Sequence, residues 1–432
     1  MKPCAACDNR RRYSGFHLRL PHTDKITYTV GRIYLLPTAH GYMIYLDNNA
    51  TTRVAPEVFA AMQPFFTEFY GNPSSAHALG QAMKRGVETA REQVAGLLGA
   101  ADAGEIVFTS CGSEADNWAI RGVLERNPQK KHIITTRVEH EAVRNYCALL
   151  ETQGYAVTWL EVDENCLLNL ADVRAALRPD TAIVSVMLAQ NETGVLFPVR
   201  EIGRVVRENS DALFHVDAVQ AVGKVALDVK NWDVDLLALS GHKLHAPQGV
   251  GALYMRGGVE LAPFIVGGKQ EAGRRAGTSA VPSIVGLGAA CELAQTDDKH
   301  NEIERLRDKL ESEILATFPN ARVNGDRAQR LVNTANISFC YLEGESIMAH
   351  LDAAGIAVST GSACHSSSRT ASPTLAAMGV PYTQAQGSIR FSLGRYNTEQ
   401  EIDQTLETLR ETIGKLSAIS PYGKELAAMA AV

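Results

Sequence analysis

The chain has 432 residues, 45% of them hydrophobic, and a formal net charge of -6. That length can bury a sizeable core in two or three domains, while the acidic balance disfavours a nucleic-acid groove or an anionic membrane surface, both of which need the opposite sign. No run approaches the roughly 20 apolar residues that span a bilayer, so the expectation is small-molecule chemistry in a cytoplasmic protein with no nucleic-acid or membrane partner.

Residues 1–43 differ from the rest: they carry Arg10-Arg11-Arg12, show no sustained periodicity and lack the apolar core of a secretory signal. They are expected to be an appended, disordered basic segment, dispensable because Met43 directly precedes Ile44-Tyr45-Leu46-Asp47. The CxxC at Cys4 and Cys7 has no second pair or nearby histidines and is a weak zinc signal. With Cys111, Cys147, Cys166, Cys291, Cys340 and Cys364, these cysteines are scattered, which reads as reduced thiols rather than a disulfide framework.

After Asn72-Pro73-Ser74-Ser75, the positions Leu79, Met83, Val87, Ala90, Val94 and Leu97 recur at three and four, predicting a helix that stops at Gly99. Strand-like stretches at 105–109, 132–136, 156–162, 181–189 and 213–216 then alternate with helix-like ones at 113–125, 139–150 and 199–208. Such alternation predicts an α/β fold with a mostly parallel sheet wrapped by helices. The run 236–239 predicts a further buried strand, and it delivers Ser240-Gly241-His242-Lys243 at its end. From about residue 300, a charged helix at 302–314 opens a smaller second domain, whose stretch 359–368 reads as a flexible Gly/Ser loop around Cys364.

Ligands in such sheets bind at the carboxyl ends of strands, and the chemistry-bearing residues of this chain cluster there. Lysine forms Schiff bases with pyridoxal phosphate, and a carboxylate against the ring nitrogen keeps it protonated. Lys243 and Asp217 suit those two jobs, with Gln220 one turn beyond Asp217 placed to reach the ring oxygen. Gly112 and Ser113 begin a helix, as an anion site or with Ser113 as an ordinary N-cap. Ser240 and His242 offer further phosphate donors, and His140 reads either as a structural histidine or as a ring-stacking proton carrier. Asn191 could equally form a turn; Arg390 suits a substrate carboxylate or a structural ion pair. Cys364, on its polar loop, reads as a nucleophile or a bystander thiol.

Residues 45–416 resemble the pyridoxal-phosphate-dependent cysteine desulfurases, in particular the nitrogen-fixation type that serves nitrogenase clusters. The resemblance rests on Tyr45-Leu46-Asp47-Asn48-Asn49-Ala50-Thr51-Thr52, Gly71-Asn72-Pro73-Ser74-Ser75, Asn191-Glu192-Thr193-Gly194, Phe214-His215-Val216-Asp217-Ala218-Val219-Gln220, Ser240-Gly241-His242-Lys243, Gly361-Ser362-Ala363-Cys364 and Ser388-Ile389-Arg390-Phe391-Ser392. It implies the aspartate-aminotransferase-like fold (fold type I), with a large cofactor-binding domain at 44–300, a smaller α+β domain at 301–432 and a mobile cysteine loop at 359–372. By resemblance, Lys243 holds the cofactor covalently, Asp217 pairs with the pyridinium and Gln220 bonds the ring oxygen. Gly112, Ser113, Ser240 and His242 take the phosphate, joined by Thr278 from the other subunit of a homodimer. His140 stacks on the ring, and Asn191 and Arg390 hold the carboxylate of L-cysteine. Cys364 then takes the sulfur as a persulfide, releases L-alanine and passes the sulfur to an iron–sulfur scaffold, serving also as a transient iron–sulfur ligand.

Three departures from the family pattern stand out: Gln190 where a second asparagine is usual, Cys111 where glycine or alanine is usual, and His365 with Arg369-Thr370-Ala371-Ser372 after the nucleophile. The first two remove no catalytic group, and the third bears on partner recognition and loop dynamics more than on chemistry. Rival readings are a selenocysteine lyase, an aminotransferase or kynureninase of the same fold, and a catalytically silent partner-binding platform.

Overall fold

The computed structural model describes residues 43–360 and 372–430. After a short strand β1 (Ile44–Tyr45), the chain forms β2 (Ile106–Thr109), β3 (His132–Thr136), β4 (Ala156–Leu160), β5 (Thr181–Ser185), β6 (Leu213–Asp217), β7 (Leu236–Ser240) and β8 (Gly251–Met255). The last seven join in one sheet in the order β2-β8-β7-β6-β5-β3-β4. β3 lies parallel to β4 and β5, β5 to β6 and β6 to β7, whereas β8 is antiparallel to both β7 and β2. Reversed twice, β2 shares the direction of β7, so every strand of this sheet except β8 ends on one edge.

β2, β3, β5, β7 and β8 are buried at every position, which is why they read as continuous apolar runs rather than alternating ones. Helices cover both faces. Ala78–Leu98 and Val281–Gln295 pack into the core on one side, and Gly112–Arg126 and Glu141–Thr152 into that on the other. Ala78–Leu98 buries Met83, Val87, Ala90 and Val94 as the spacing predicts, with Leu98 rather than Leu97 completing the stripe, and it ends at Gly99 with φ 68°. Val281–Gln295 escaped the periodicity because it presents small apolar residues on most sides, packed between Ala78–Leu98 and Pro56–Met62. The expected strand at 181–189 ends at Ser185. The chain beyond it still follows β6, with Val186 N donating to His215 O (3.1 Å) and Leu188 N to Asp217 O (2.8 Å).

The smaller sheet is antiparallel. It consists of β9 (Ala321–Val323), β10 (Thr334–Phe339), β12 (Ser359–Thr360) and β13 (Ser388–Ser392) in the order β12-β13-β10-β9, while β11 (Ile356–Ala357) pairs in parallel with β1. Helices His300–Thr317 and Glu399–Ile419 pack with it around Leu310, Phe339, Ile389, Phe391 and Leu406, and Ile44 and Leu46 enter the same core. Each such side chain contributes about 1.5–3 kcal/mol by full burial. From Leu46 the chain crosses to the large sheet, where Thr52 N and Oγ1 both donate to His242 O (2.8 and 2.9 Å). Among the described residues, no helix is long and apolar enough to cross a membrane.

Candidate active site

Lys243 ends the short 3-10 turn Gly241–Lys243 that follows β7. Gly241 N donates to Val250 O at 2.9 Å, and a Cβ on Gly241 would lie 2.9 Å from Val250 Cγ1. A side chain there would therefore push the turn away from the segment it folds against. Lys243 Nζ donates to Ala50 O at 2.8 Å and to Asn49 O. On the neighbouring parallel strand, Asp217 closes β6 in register with Ala238 of β7, and its Oδ1 accepts from Val219 N at 2.9 Å. Burial pushes the Asp217 carboxyl up, against the pull of His140 and Lys243.

A cavity of about 380 Å³ opens at this edge, lined by His140, Asn191, Gln220, Lys243, Thr374 and Arg390 among others. Five residues singled out in the sequence thus converge, although they lie 250 positions apart at the extremes. Gln220 is held on both sides, Nε2 donating to Asn49 O (2.9 Å) and Oε1 accepting from Lys224 Nζ (3.3 Å). Burial, with Lys243 and Arg390 nearby, pushes Lys224 down to about 7. His140 caps the helix Glu141–Thr152, its Nδ1 accepting from Ala142 N at 3.2 Å, so Nε2 is the nitrogen left to carry a proton.

Both readings of Arg390 have physical content. Its Nη2 pairs with Asp47 Oδ1 (2.7 Å) and its Nη1 donates to Asn191 O (3.0 Å), while Nε is buried with no hydrogen-bond partner. Arg390 is ion-paired and also lines the cavity.

At the start of helix Gly112–Arg126, the expectation of Ser113 as a possible cap is corrected. The N-cap is Cys111, whose Sγ accepts from Glu114 N at 3.4 Å, and Ser113 sits exposed in the first turn. A Cβ on Gly112 would come 2.6 Å from Val219 Cγ2, so glycine lets this helix start pack against the turn after Asp217. Ser240 is buried, and burial together with Lys243 pushes His242 down to about 4, which keeps it neutral. Gly112, Ser113, Ser240 and His242 do not line the 380 Å³ cavity; they stand beside it, at the ends of β2 and β7. Thr278 is exposed after Gly277 (φ 110°) and is not brought to the cavity.

Cys364 and the Cys4–Cys7 pair lie outside the described residues. The chain on either side of the Cys364 segment reaches the site: Ser359, Thr360, Pro373 and Thr374 line the cavity. Glu192 accepts hydrogen bonds from Ser372 Oγ (2.5 Å) and Thr374 Oγ1 (2.7 Å), and Gln190 Nε2 donates to Thr374 Oγ1 (3.0 Å). Of the described cysteines, Cys147, Cys166, Cys291 and Cys340 are buried thiols whose pKa burial raises, poor nucleophiles. Among the described residues, no group of three or more His, Cys, Asp or Glu is arranged to hold a metal.

Sequence reasoning gave no role to Asn49, Lys224 and Glu192. Asn49 is a hub between the two sheets: its O meets Gln220 and Lys243, its Nδ2 donates to Thr334 Oγ1 (2.9 Å) and its N to Ser392 Oγ (2.9 Å). The only signal was its place in the run Tyr45–Thr52.

The donor set fits pyridoxal phosphate. A buried carboxylate suits a pyridinium, an amine stands at the cavity wall, a helix N-terminus favours an anion and an arginine fork offers itself to a carboxylate. The aminotransferase class-V family model matches residues 44–405. A cysteine desulfurase of Trichormus azollae is 55% identical over 382 residues, covering 88% of this chain and 95% of that protein. Cysteine desulfurase NifS of Azotobacter vinelandii is 51% identical over 381 residues, covering 88% and 94%. Among solved structures, a NifS-like protein superimposes with a TM-score of 0.82 at 39% identity, covering 87% of this chain and 100% of that one. A structure of SspA in complex with cysteine gives 0.74 at 36%, covering 82% and 100%. Fold, site and kinship agree: the chain belongs to the class-V aminotransferase family and, within it, to the cysteine desulfurases.

Proposed function

We propose that this enzyme uses pyridoxal phosphate to convert L-cysteine to L-alanine and leaves the sulfur on Cys364 as a persulfide for an iron–sulfur acceptor protein. The observation that carries the reading is the convergence of Lys243, Gln220, His140, Asn191 and Arg390 on one cavity at the strand end that Asp217 closes. When bound, the cofactor supplies an electron sink for a carbanion at the substrate α-carbon.

The remaining work falls to side chains. Lys243 would hold the cofactor through its amine and, as a free amine, would move the substrate α-proton, a role that contributes on the order of 10²–10⁴-fold. Asp217 would hold the ring nitrogen protonated, Gln220 would meet the ring oxygen, and His140 would stack on the ring and carry protons through Nε2. Gly112, Ser113, Ser240 and neutral His242 receive the phosphate. Arg390 and Asn191 orient the substrate carboxylate, with Asp47 keeping the guanidinium fork in place. Cys364 as thiolate would attack the substrate sulfur; the C–S bond breaks, its electron pair stays on carbon and takes up a proton toward alanine's methyl group, and a sulfur–sulfur bond forms on Cys364.

We further infer a homodimer in which Thr278 of each subunit completes the partner's phosphate site. Its exposure in the single chain, with Phe59, Phe66, Tyr70 and Val266 also exposed, supports this. A large domain at 44–300, a small one at 301–432, a cytoplasmic setting, service to nitrogenase clusters and transient iron–sulfur ligation by Cys364 complete the proposal. Borohydride treatment of the yellow holoenzyme, followed by peptide mapping, tests it: the label belongs on Lys243, and a label on another lysine, or none, overturns the assignment.

A further inference from the structure

Around Asp217 lies a second group of acids that the reaction does not use, one of which, Glu139, also lines the cavity. Asp116, on helix Gly112–Arg126, is 1% exposed, Glu139, just before His140, is 2%, and His215, on β6 two residues before Asp217, is 0%. Among the described residues, six buried side-chain atoms have no hydrogen-bond partner, and four belong here: Asp116 Oδ1, Glu139 Oε2, His215 Nε2 and Thr135 Oγ1. His215 Nε2 faces Asp116 Oδ1 at 3.5 Å, while its Nδ1 meets Ser185 Oγ at 2.9 Å. Glu139 Oε1 accepts from Thr136 Oγ1 (2.8 Å) and Met187 N (3.1 Å).

Asp116, Glu139 and Asp217 are all buried and repel one another, so the three carboxyls cannot all be ionised. The charged and titratable groups that face them decide which one keeps its charge. Asp217 has Lys243 and His140 on its open side. Asp116 meets only Asp217, Glu139 and Cys111 besides His215, and Glu139 meets Asp217 with Cys147 behind it. Among the described residues, the ammonium of Lys243 faces Asp217, and no cation is set against Asp116 or Glu139.

We propose that Asp116, Glu139 and His215 form an uncharged, proton-holding layer around Asp217 and act as positioning residues that leave Asp217 the single anion presented to the ring nitrogen. The proposal rests on the reading of Asp217 given above, but its protons belong to the protein chain and can be followed without cofactor. Burial pushes Glu139 up to about 8, with Asp217 adding to it, and drives His215 down to about 3. The two shifts agree with a layer in which both acids keep their protons and the imidazole takes none.

The test uses full-length protein stripped of cofactor. A carboxyl whose folded pKa exceeds its unfolded one contributes stability that is complete at low pH and lost as pH rises toward the folded value. The Tm of the native protein should therefore fall relative to that of Glu139→Gln as pH rises from about 5 to about 8; parallel curves overturn the proposal. Should the variant not fold, infrared spectra of the native protein decide. A protonated-carboxyl band at neutral pH that vanishes in alkali supports the layer, and its absence overturns it. In holoenzyme, removing an anion that forms beside Asp217 should lower the pH midpoint of the cofactor's absorbance change in Glu139→Gln. An unmoved midpoint overturns the positioning role while leaving the desulfurase reading intact.

Discussion

At the scale of single residues, the site consists of groups whose neighbours set their charge. Lys243→Ala removes both the anchor and the proton carrier, and should cut alanine formation from cysteine by about 10²–10⁴-fold; steady-state assay of cofactor-loaded protein checks this. Arg390→Gln leaves Asp47 without its cation and removes the fork, so the KM for cysteine should rise about tenfold or more, the charged hydrogen bond contributing about 1.5–3 kcal/mol, with a smaller change in kcat. His215 adds a pH dependence with a defined sign. Its folded pKa is held down near 3 by burial, below the ordinary value of 6.5. It contributes stability that is present above 6.5 and lost as pH falls toward 3. Thermal unfolding of a His215→Gln variant across that window should show a shallower acid-side decline than the native protein. The ends of apolar runs marked the places of Asp217 and Lys243, which the structure has closing β6 and just after β7; Cys364 lies outside the described residues. Asn49 and Lys224 were not legible in the sequence, since an asparagine after a short strand and a lysine seven residues past Asp217 acquire meaning only when the two sheets meet.

At the scale of elements, the sheet edge explains why residues far apart in sequence share a cavity. Strands buried on both faces need continuous apolar runs, and each run ends where the first polar residue can reach the ligand; hence Asp217 at the end of β6 and Lys243 just after β7. The alternation of runs made this part of the fold readable. The antiparallel β8 was not, because a buried strand of this kind reads alike in either direction. The turn at 189–194 does more than position Asn191. Through Gln190 and Glu192 it grips Ser372 and Thr374, where the chain returns from the Cys364 segment. The departure Gln190 therefore has a local partner in Thr374. A double variant Ser372→Ala, Thr374→Val should keep the bound cofactor's colour but lose about tenfold to a hundredfold in kcat, the scale of a misplaced reacting group. Absorbance and single-turnover assays separate the two effects.

At the scale of the whole molecule, two sheets share one site through the crossing segment after β1, where Asn49 touches Lys243, Gln220 and Thr334 together. Asn49→Ala should destabilise the protein by about 1–3 kcal/mol, the cost of leaving buried partners unsatisfied, and chemical denaturation measures it. The proposed homodimer would cover the exposed Phe59, Phe66, Tyr70 and Val266, and sedimentation should then return twice the chain mass of 46.7 kDa. What most directly tests sulfur transfer is a single turnover of holoenzyme with L-cysteine, followed by quantification of alanine and mass mapping of every thiol. Alanine equal in amount to persulfide on Cys364 is the predicted result; alanine released with Cys364 unmodified, or sulfur mapped to Cys111, would contradict it.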